Sequence, residues 1–260
     1  MTGEDRSGLD RTAVVRSGQP LRVVITGASS GIGEAVAERF RESGDRVLLT
    51  GRRSDPPASL RDGERYLPGD LGDEGFVREL IAEAEREFGE IDALVLCHGL
   101  QKDAALTEMA VEDAGRVLDA NLLSVFTVVK HASPVMSRER GSIVCVSSRL
   151  GMVGMAGQVL YSAAKGGLIM FARAAAIELA PQGIRVNVAA PGLTLTPKIT
   201  ESFAKQPDPQ AYTAQRASTI PLGRLADPRE VADPIYFLAS PASSYVTGAV
   251  LPIDGGYTAA

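Results

Sequence analysis

Two rhythms of apolar residues run along this chain. Short, nearly unbroken apolar runs rich in Val, Ile and Leu fall at residues 21–26, 46–50, 66–68, 93–97, 141–147, 185–189 and 249–253. Between them, apolar residues recur at helical spacing. Over 33–43 the repeat is Ala35, Val36 and Phe40, and Gly44 supplies the stop. Over 73–88, Phe76, Val77, Leu80, Ile81 and Phe88 fall on one side. Residues 111–136 and the Ala-rich 158–180, closed by Pro181, predict two longer helices.

The short runs are apolar throughout rather than alternating, as in parallel strands covered on both faces. Strand and helix alternate, which implies right-handed crossovers. The fold class expected is therefore α/β: a Rossmann-type, doubly wound, mainly seven-stranded parallel sheet with helices on both faces. Residues 191–221, polar and bounded by Pro191 and Pro221, read as a long irregular stretch of the kind that serves as a lid. Residues 1–20, rich in Gly, Ser, Asp and Arg, read as a flexible arm or as a contact across an oligomer interface. Residues 21–260 read as one domain.

Composition narrows the function classes. A chain of 260 residues with 45% hydrophobic content can bury a sizeable core. The net charge of -5, with no basic stripe, argues against nucleic acid as the partner. No apolar run approaches the roughly 20 residues of a membrane span. Residues 1–20 lack the apolar region of a signal peptide, so a cytoplasmic location is expected. Cys97 and Cys145 lie in apolar runs and read as buried reduced thiols. Neither they nor His98 and His131 show metal-ligand spacing, so no metal is expected.

The chemistry begins where the first run ends. Thr26-Gly27-Ala28-Ser29-Ser30-Gly31-Ile32-Gly33 joins a strand to a helix. A helix N-terminus offers unpaired N–H groups and partial positive charge, and glycines let a pyrophosphate approach the backbone. Gly27, Ser29, Ser30, Gly31, Ile32 and Gly33 are therefore candidate cofactor-binding residues. The plainer reading is a tight turn without ligand. At the tip of the second strand, Gly51 is followed by Arg52 and Arg53. A carboxylate there would hold ribose hydroxyls, whereas two guanidiniums favour a 2′-phosphate. NADP(H) is thus preferred and NAD(H) remains possible; the plainer reading is two solvated arginines. Asp70, followed by Leu71, is placed to meet the adenine edge or simply to hold its loop.

Tyr161 and Lys165 stand four residues apart and so on one helix face, with Ser148 upstream at the end of the fifth run. A nearby ammonium favours the phenolate and is expected to acidify Tyr161. The tyrosine then serves as general acid or base, and Ser148 donates a hydrogen bond to the substrate oxygen.

In combination these motifs resemble the short-chain dehydrogenase/reductase family, in its branch of about 250 residues. The resemblance runs from Leu21 to the C-terminus. It rests on Thr26-Gly27-x-x-x-Gly31-x-Gly33, Asp70-Leu71, Asn121, Ser148 with Tyr161-x-x-x-Lys165, and Pro191-Gly192 leading to Thr196. It implies a dinucleotide-binding catalytic domain in which Tyr161 is the acid/base. Lys165 would hold the nicotinamide ribose, and Ser148 would orient the carbonyl. Asn121 would kink its helix and hold a water that relays protons to Lys165. Pro191, Gly192, Thr194 and Thr196 would meet the carboxamide. After the fourth strand the family's Asn-Asn-Ala-Gly is here Leu96-Cys97-His98-Gly99. Gly99 keeps its place beside the cofactor, both amides are lost, and His98 reads as a packing variant or a cofactor contact.

The resemblance further implies a homotetramer, or a dimer, using helices 111–136 and 158–180 and the segment around 248–257. The activity implied is hydride transfer between NADP(H) and a ketone or secondary alcohol. A non-catalytic nucleotide-sensing or scaffold protein, an NAD(H)-preferring dehydrogenase, and an eliminating or epimerising enzyme are the alternatives. The substrate pocket is expected between 149–160 and 195–219, where Met152, Val153, Met155 and Gln158 suit a medium-sized, mostly apolar small molecule. Arg149, Lys198 or Lys205 would anchor a charge only if turned inward.

Overall fold

The structure is a computed structural model that describes residues 19–259. The expectation for the N-terminal arm, residues 1–20, falls for residues 1–18 outside the described residues. The strands are β1 (Arg22–Thr26), β2 (Arg46–Gly51), β3 (Arg65–Pro68), β4 (Ala93–Leu96), β5 (Ser142–Val146), β6 (Arg185–Pro191) and β7 (Val250–Ile253). They form one seven-stranded sheet in the order β3-β2-β1-β4-β5-β6-β7, every neighbouring pair parallel. Ile25 of β1 stands between Leu49 of β2 and Val95 of β4.

Successive side chains of a strand point to opposite faces, and each face is packed by its own helices. Val24, Leu48, Leu94 and Ile143 join one core, against Leu80 of α2 (Glu74–Phe88), Val128 of α4 (Ser124–Ala132) and Leu168 of α5 (Val159–Leu179). Val23, Ile25, Val95 and Val144 join the other, against Val36 and Phe40 of α1 (Gly31–Glu42) and Ile235 of α8 (Pro228–Ala239). This double cover explains why the strand runs are continuously apolar.

Local signals set several helix starts. Asp73 accepts the Gly75 N–H at 2.8 Å at the head of α2. Asp227 and Glu230 form a capping box ahead of α8, a helix that the apolar rhythm does not single out. Two expectations are corrected. Residues 111–136 are not one helix: α3 (Val111–Leu118) passes through a π-turn at Asp119–Leu123 into α4, then a 3-10 turn at Ser133–Val135. Residues 191–221 are not irregular, since they hold α6 (Pro197–Ala204) and α7 (Pro209–Ser218). Each starts on a side-chain cap followed by proline, Thr196-Pro197 and Asp208-Pro209. Among the described residues no helix is long and apolar enough to cross a membrane.

Candidate active site

β1 lies between β2 and β4, so the first crossovers leave it in opposite directions. That reversal opens a crevice at the C-terminal strand ends. The glycine turn stands there. Gly27 and Gly31 have φ of 65° and 64°, conformations that favour glycine. A Cβ on Gly33 would lie 2.2 Å from the Gly27 carbonyl oxygen, so α1 closes on the turn only without a side chain. A Cβ on Gly31 would lie 3.1 Å from Thr196 Cγ2, which places the start of the lid against the turn.

The tip of β2 is tightly built. A Cβ on Gly51 would come within 2.9 Å of the Tyr66 hydroxyl and 3.1 Å of Ser29 Oγ. The Tyr66 hydroxyl donates to the Arg53 carbonyl at 2.8 Å and so fixes the backbone that carries both arginines. Arg52 and Arg53 are exposed and, among the described residues, form no ion pair. Asp70 Oδ1 accepts the Gly72 N–H at 2.9 Å, a loop-holding role, and Leu71 is buried in the core.

His98 spends both ring nitrogens inside the protein. Nδ1 lies 2.6 Å from Thr26 Oγ1 and Nε2 lies 3.0 Å from Ser124 Oγ. The imidazole thus ties the end of β1 to the start of α4. Burial, with the charges of Lys165 and Arg52, pushes its pKa down to about 3, so it works as a neutral strut. This geometry is that of the packing variant rather than the cofactor contact.

The π-turn presents Asn121, which is fully buried. Its amide donates to the Leu100 and Val117 carbonyls, each at 2.7 Å, while Oδ1 has no protein partner. A Cβ on Gly99 would lie 2.6 Å from that oxygen and 3.3 Å from Lys165 Nζ. Gly99, Asn121 and Lys165 therefore meet at one point, with an unmet acceptor beside an ammonium.

Ser148 follows β5 and caps a 3-10 turn, its Oγ accepting the Leu150 N–H at 3.1 Å. Two residues that the sequence reading passed over seat this turn on α5. Ser147 Oγ donates to the Lys165 carbonyl at 2.9 Å, and a Cβ on Gly151 would lie 2.7 Å from the same oxygen. The Lys165 side chain is buried and donates to the Val146 carbonyl at 3.0 Å. Burial lowers its pKa to about 8. Its Nζ stands 5.8 Å from the Tyr161 ring centroid. The expected acidification of Tyr161 is reversed here: burial raises the phenol's pKa, and the hydrogen bond with Ser148 only partly offsets this. The ammonium is directed at a carbonyl rather than at the hydroxyl, so desolvation wins.

Pro191 ends β6. The Gly192 N–H donates to the Ile253 carbonyl at 2.8 Å, and a Cβ there would lie 2.7 Å from Asp254 Cα. Thr194 is buried and donates to the Gly192 carbonyl at 3.1 Å, while Thr196 caps α6. Gln158 is buried, its amide donating to Asp103 at 2.5 Å and its own oxygen unpartnered. Lys198 is exposed, and the exposed Lys205 pairs with Glu201 at 2.6 Å. Of the three candidate anchors, only Arg149 turns into the protein.

Comparison with known proteins accords with this arrangement. The family described as enoyl-(acyl carrier protein) reductase matches residues 27–258. A 3-oxoacyl-(acyl-carrier-protein) reductase of Thermotoga maritima is 42% identical over 241 residues, covering 90% of this chain and 96% of that one. The chain belongs to the short-chain dehydrogenase/reductase family. Another relative in this family is the cis-4-hydroxycyclohexanecarboxylate dehydrogenase of Sinomonas cyclohexanicum, 43% identical over 244 residues and covering 91% of this chain and 96% of its own. The NADP-bound structure of ElxO superposes with a TM-score of 0.85 at 30% identity, over 93% of this chain and 100% of that one. As a short-chain dehydrogenase/reductase this chain is an oxidoreductase acting on CH–OH groups.

Proposed function

We propose that the enzyme transfers a hydride between NADP(H) and a ketone or secondary alcohol, with Tyr161 as general acid and base. The observation that carries this reading is the meeting of Ser148, Tyr161 and Lys165 where β5 and α5 face the crevice. The residues fit a dinucleotide. Gly31 and Gly33 put no side chain at the start of α1, where a phosphate would meet the backbone N–H groups, and Gly99 leaves room beside Lys165 that a Cβ would fill. Gly27, Ser29, Ser30, Ile32 and the two arginines would hold the phosphates. Asp70, Leu71, Pro191, Gly192, Thr194 and Thr196 would frame the remaining cofactor.

When bound, the nicotinamide supplies the hydride in reduction or accepts it in oxidation. Ser148 donates a hydrogen bond to the carbonyl oxygen as charge grows on it. Tyr161 gives that oxygen its proton in reduction and takes it back in oxidation. Lys165 would hold a positive charge that stabilises the tyrosinate left behind, and the unmet Asn121 oxygen would hold a water on the proton's way to Lys165. NADP(H) is favoured by the two unpaired guanidiniums and by the bound cofactor of ElxO. The assembly that fits is a homotetramer or dimer built on α4 and α5.

The test is NADPH oxidation with a panel of ketones. Tyr161→Phe is expected to lower turnover by about 10²–10⁴-fold, the usual worth of a positioned acid, while NADPH still binds. An active Tyr161→Phe enzyme would remove Tyr161 from the mechanism. Arg52→Ala is expected to narrow the preference for NADPH over NADH by about tenfold, the loss of one charged hydrogen bond; an unchanged preference would assign the 2′-phosphate elsewhere.

A further inference from the structure

Next to the catalytic serine, the chain buries a charge that the hydride-transfer mechanism does not use. Arg149 is only 4% exposed, and its Nη1 has no hydrogen-bond partner. Its guanidinium lies 3.7 Å above the Tyr257 ring, which holds the plane in place without satisfying its donors. Arg216, on lid helix α7, faces the same region, and its buried Nε is also unpartnered. Burial and the charge of Arg216 both depress the pKa of Arg149. The neighbouring carboxylate, Asp254, is already committed. It accepts the Gly256 N–H at 3.0 Å, the Thr258 N–H at 3.0 Å and the Thr258 hydroxyl at 2.6 Å.

A buried guanidinium with an unmet donor beside a second, half-buried one is unfavourable unless an anion joins them. Two guanidiniums against one carboxylate leave a single positive charge, which matches a monoanion rather than a phosphate dianion. Guanidinium N–H groups also suit the planar oxygens of a carboxylate. Arg216 is carried by α7, and no residue of that helix is fully buried. Beyond the edge-to-face contact of Tyr212 with Phe203 of α6, the helix has little buried packing to lose when it lifts to admit a ligand.

We propose that Arg149 and Arg216 form the carboxylate-binding subsite for an anionic substrate, a keto acid or its hydroxy acid. This rests on the reading of the chain as a carbonyl reductase, which it deepens by naming the substrate class. Arg149 follows Ser148 in the chain on the same 3-10 turn, and on this proposal the carboxylate would fix the substrate while Ser148 holds its carbonyl.

The test has a binding arm and a turnover arm, both on the full chain. By calorimetry, cyclohexanecarboxylate is expected to bind more than tenfold more tightly than its methyl ester. Arg149→Gln and Arg216→Ala should each reduce that preference about tenfold, the worth of one charged hydrogen bond. Equal binding of acid and ester, or a preference retained in both variants, would overturn the subsite. Tighter binding of inorganic phosphate than of the carboxylate would overturn the monoanion assignment. Should Arg149→Gln fail to fold, Arg216→Ala, on the thinly packed lid, decides alone. For turnover, oxocyclohexanecarboxylate and its methyl ester are compared with NADPH, and the acid should show the lower KM. Reduction of both with the same KM would defeat the subsite and leave hydride transfer standing. Binding of the carboxylate with reduction of neither compound would defeat hydride transfer and leave the subsite standing.

Discussion

Lys165 carries its charge into the buried interior, and the protein bears the cost of that at neutral pH. Its folded-state pKa of about 8 lies below the ordinary 10.5. Between those values the unfolded chain binds more protons, so stability rises with pH across that window. Below pH 8 the penalty is complete, on the order of 3 kcal/mol. Lys165→Met is therefore expected to abolish turnover. Its stability relative to the parent should be greatest below pH 8 and decline as pH climbs toward 10.5, read from urea unfolding midpoints. A difference that does not vary over that range would mean the ammonium is solvated. His98 has the same sign in a lower window. Its pKa falls from 6.5 to about 3, so its contribution is complete above pH 6.5 and is lost as pH falls toward 3. Relative to a His98→Asn variant, the parent should lose stability on acidification from pH 6.5; parallel urea midpoints would show that the imidazole is not buried neutral. Residue types and spacing were enough to nominate Tyr161, Lys165 and Ser148, and the family resemblance added Asn121. They did not give the direction of the Tyr161 shift, because that depends on burial and on the Val146 carbonyl toward which the ammonium points.

At the scale of elements, the strands and the long helices were legible because the apolar rhythm that marks them is the same rhythm that buries them. Of the two misread segments, 191–221 lacks that rhythm, and 111–136 keeps it through a change of helix type. α7 has no fully buried residue, so only its cap and proline, Asp208-Pro209, announce it. The π-turn at Asp119–Leu123 lies inside a helical pattern and is set by Asn121, whose amide donates to the Val117 carbonyl. Ser147 and Gly151 went unnoticed because their work is tertiary: they dock the Ser148 turn onto α5. Glycines separate in the same way. Gly33→Ala would drive a methyl to 2.2 Å from the Gly27 oxygen, a backbone clash at the glycine turn. It is expected to cost about 1–3 kcal/mol of stability and to weaken NADPH binding more than tenfold. Gly115 in α3 meets nothing within 4 Å, and Gly115→Ala should stabilise by about 0.5–1 kcal/mol. Thermal melts with and without NADPH check both. Equal behaviour of the two variants would mean that the turn yields to a side chain.

For the whole molecule, the remaining question is what covers the apolar residues that α4, α5 and the π-turn leave in water. Phe126 is 50% exposed and Leu123 55%, three residues apart and so on one face of that helical stretch. Met170 is 59% exposed and Ile177 79%, two turns apart on the outer face of α5. The inward face of α5 is spent on the core through Leu168, Ile169, Ala172 and Ala176. Half or more of each of these outward side chains therefore meets no packing within the chain. Self-association across α4 and α5 would remove them from water at roughly 25 cal/mol per Å² of apolar surface. It would also brace the helix that carries Tyr161 and Lys165. Ile177→Glu and Phe126→Glu each place a carboxylate where such a face would be desolvated. Each is expected to shift the protein to a smaller species in light scattering coupled to size exclusion. The monomer fold should survive, because neither side chain is buried in it. Activity should fall with assembly if the pairing holds α5 rigid. A parent that is already monomeric, or variants that keep the parent's mass, would show that these apolar side chains simply stand in solvent and that the site is complete within one chain.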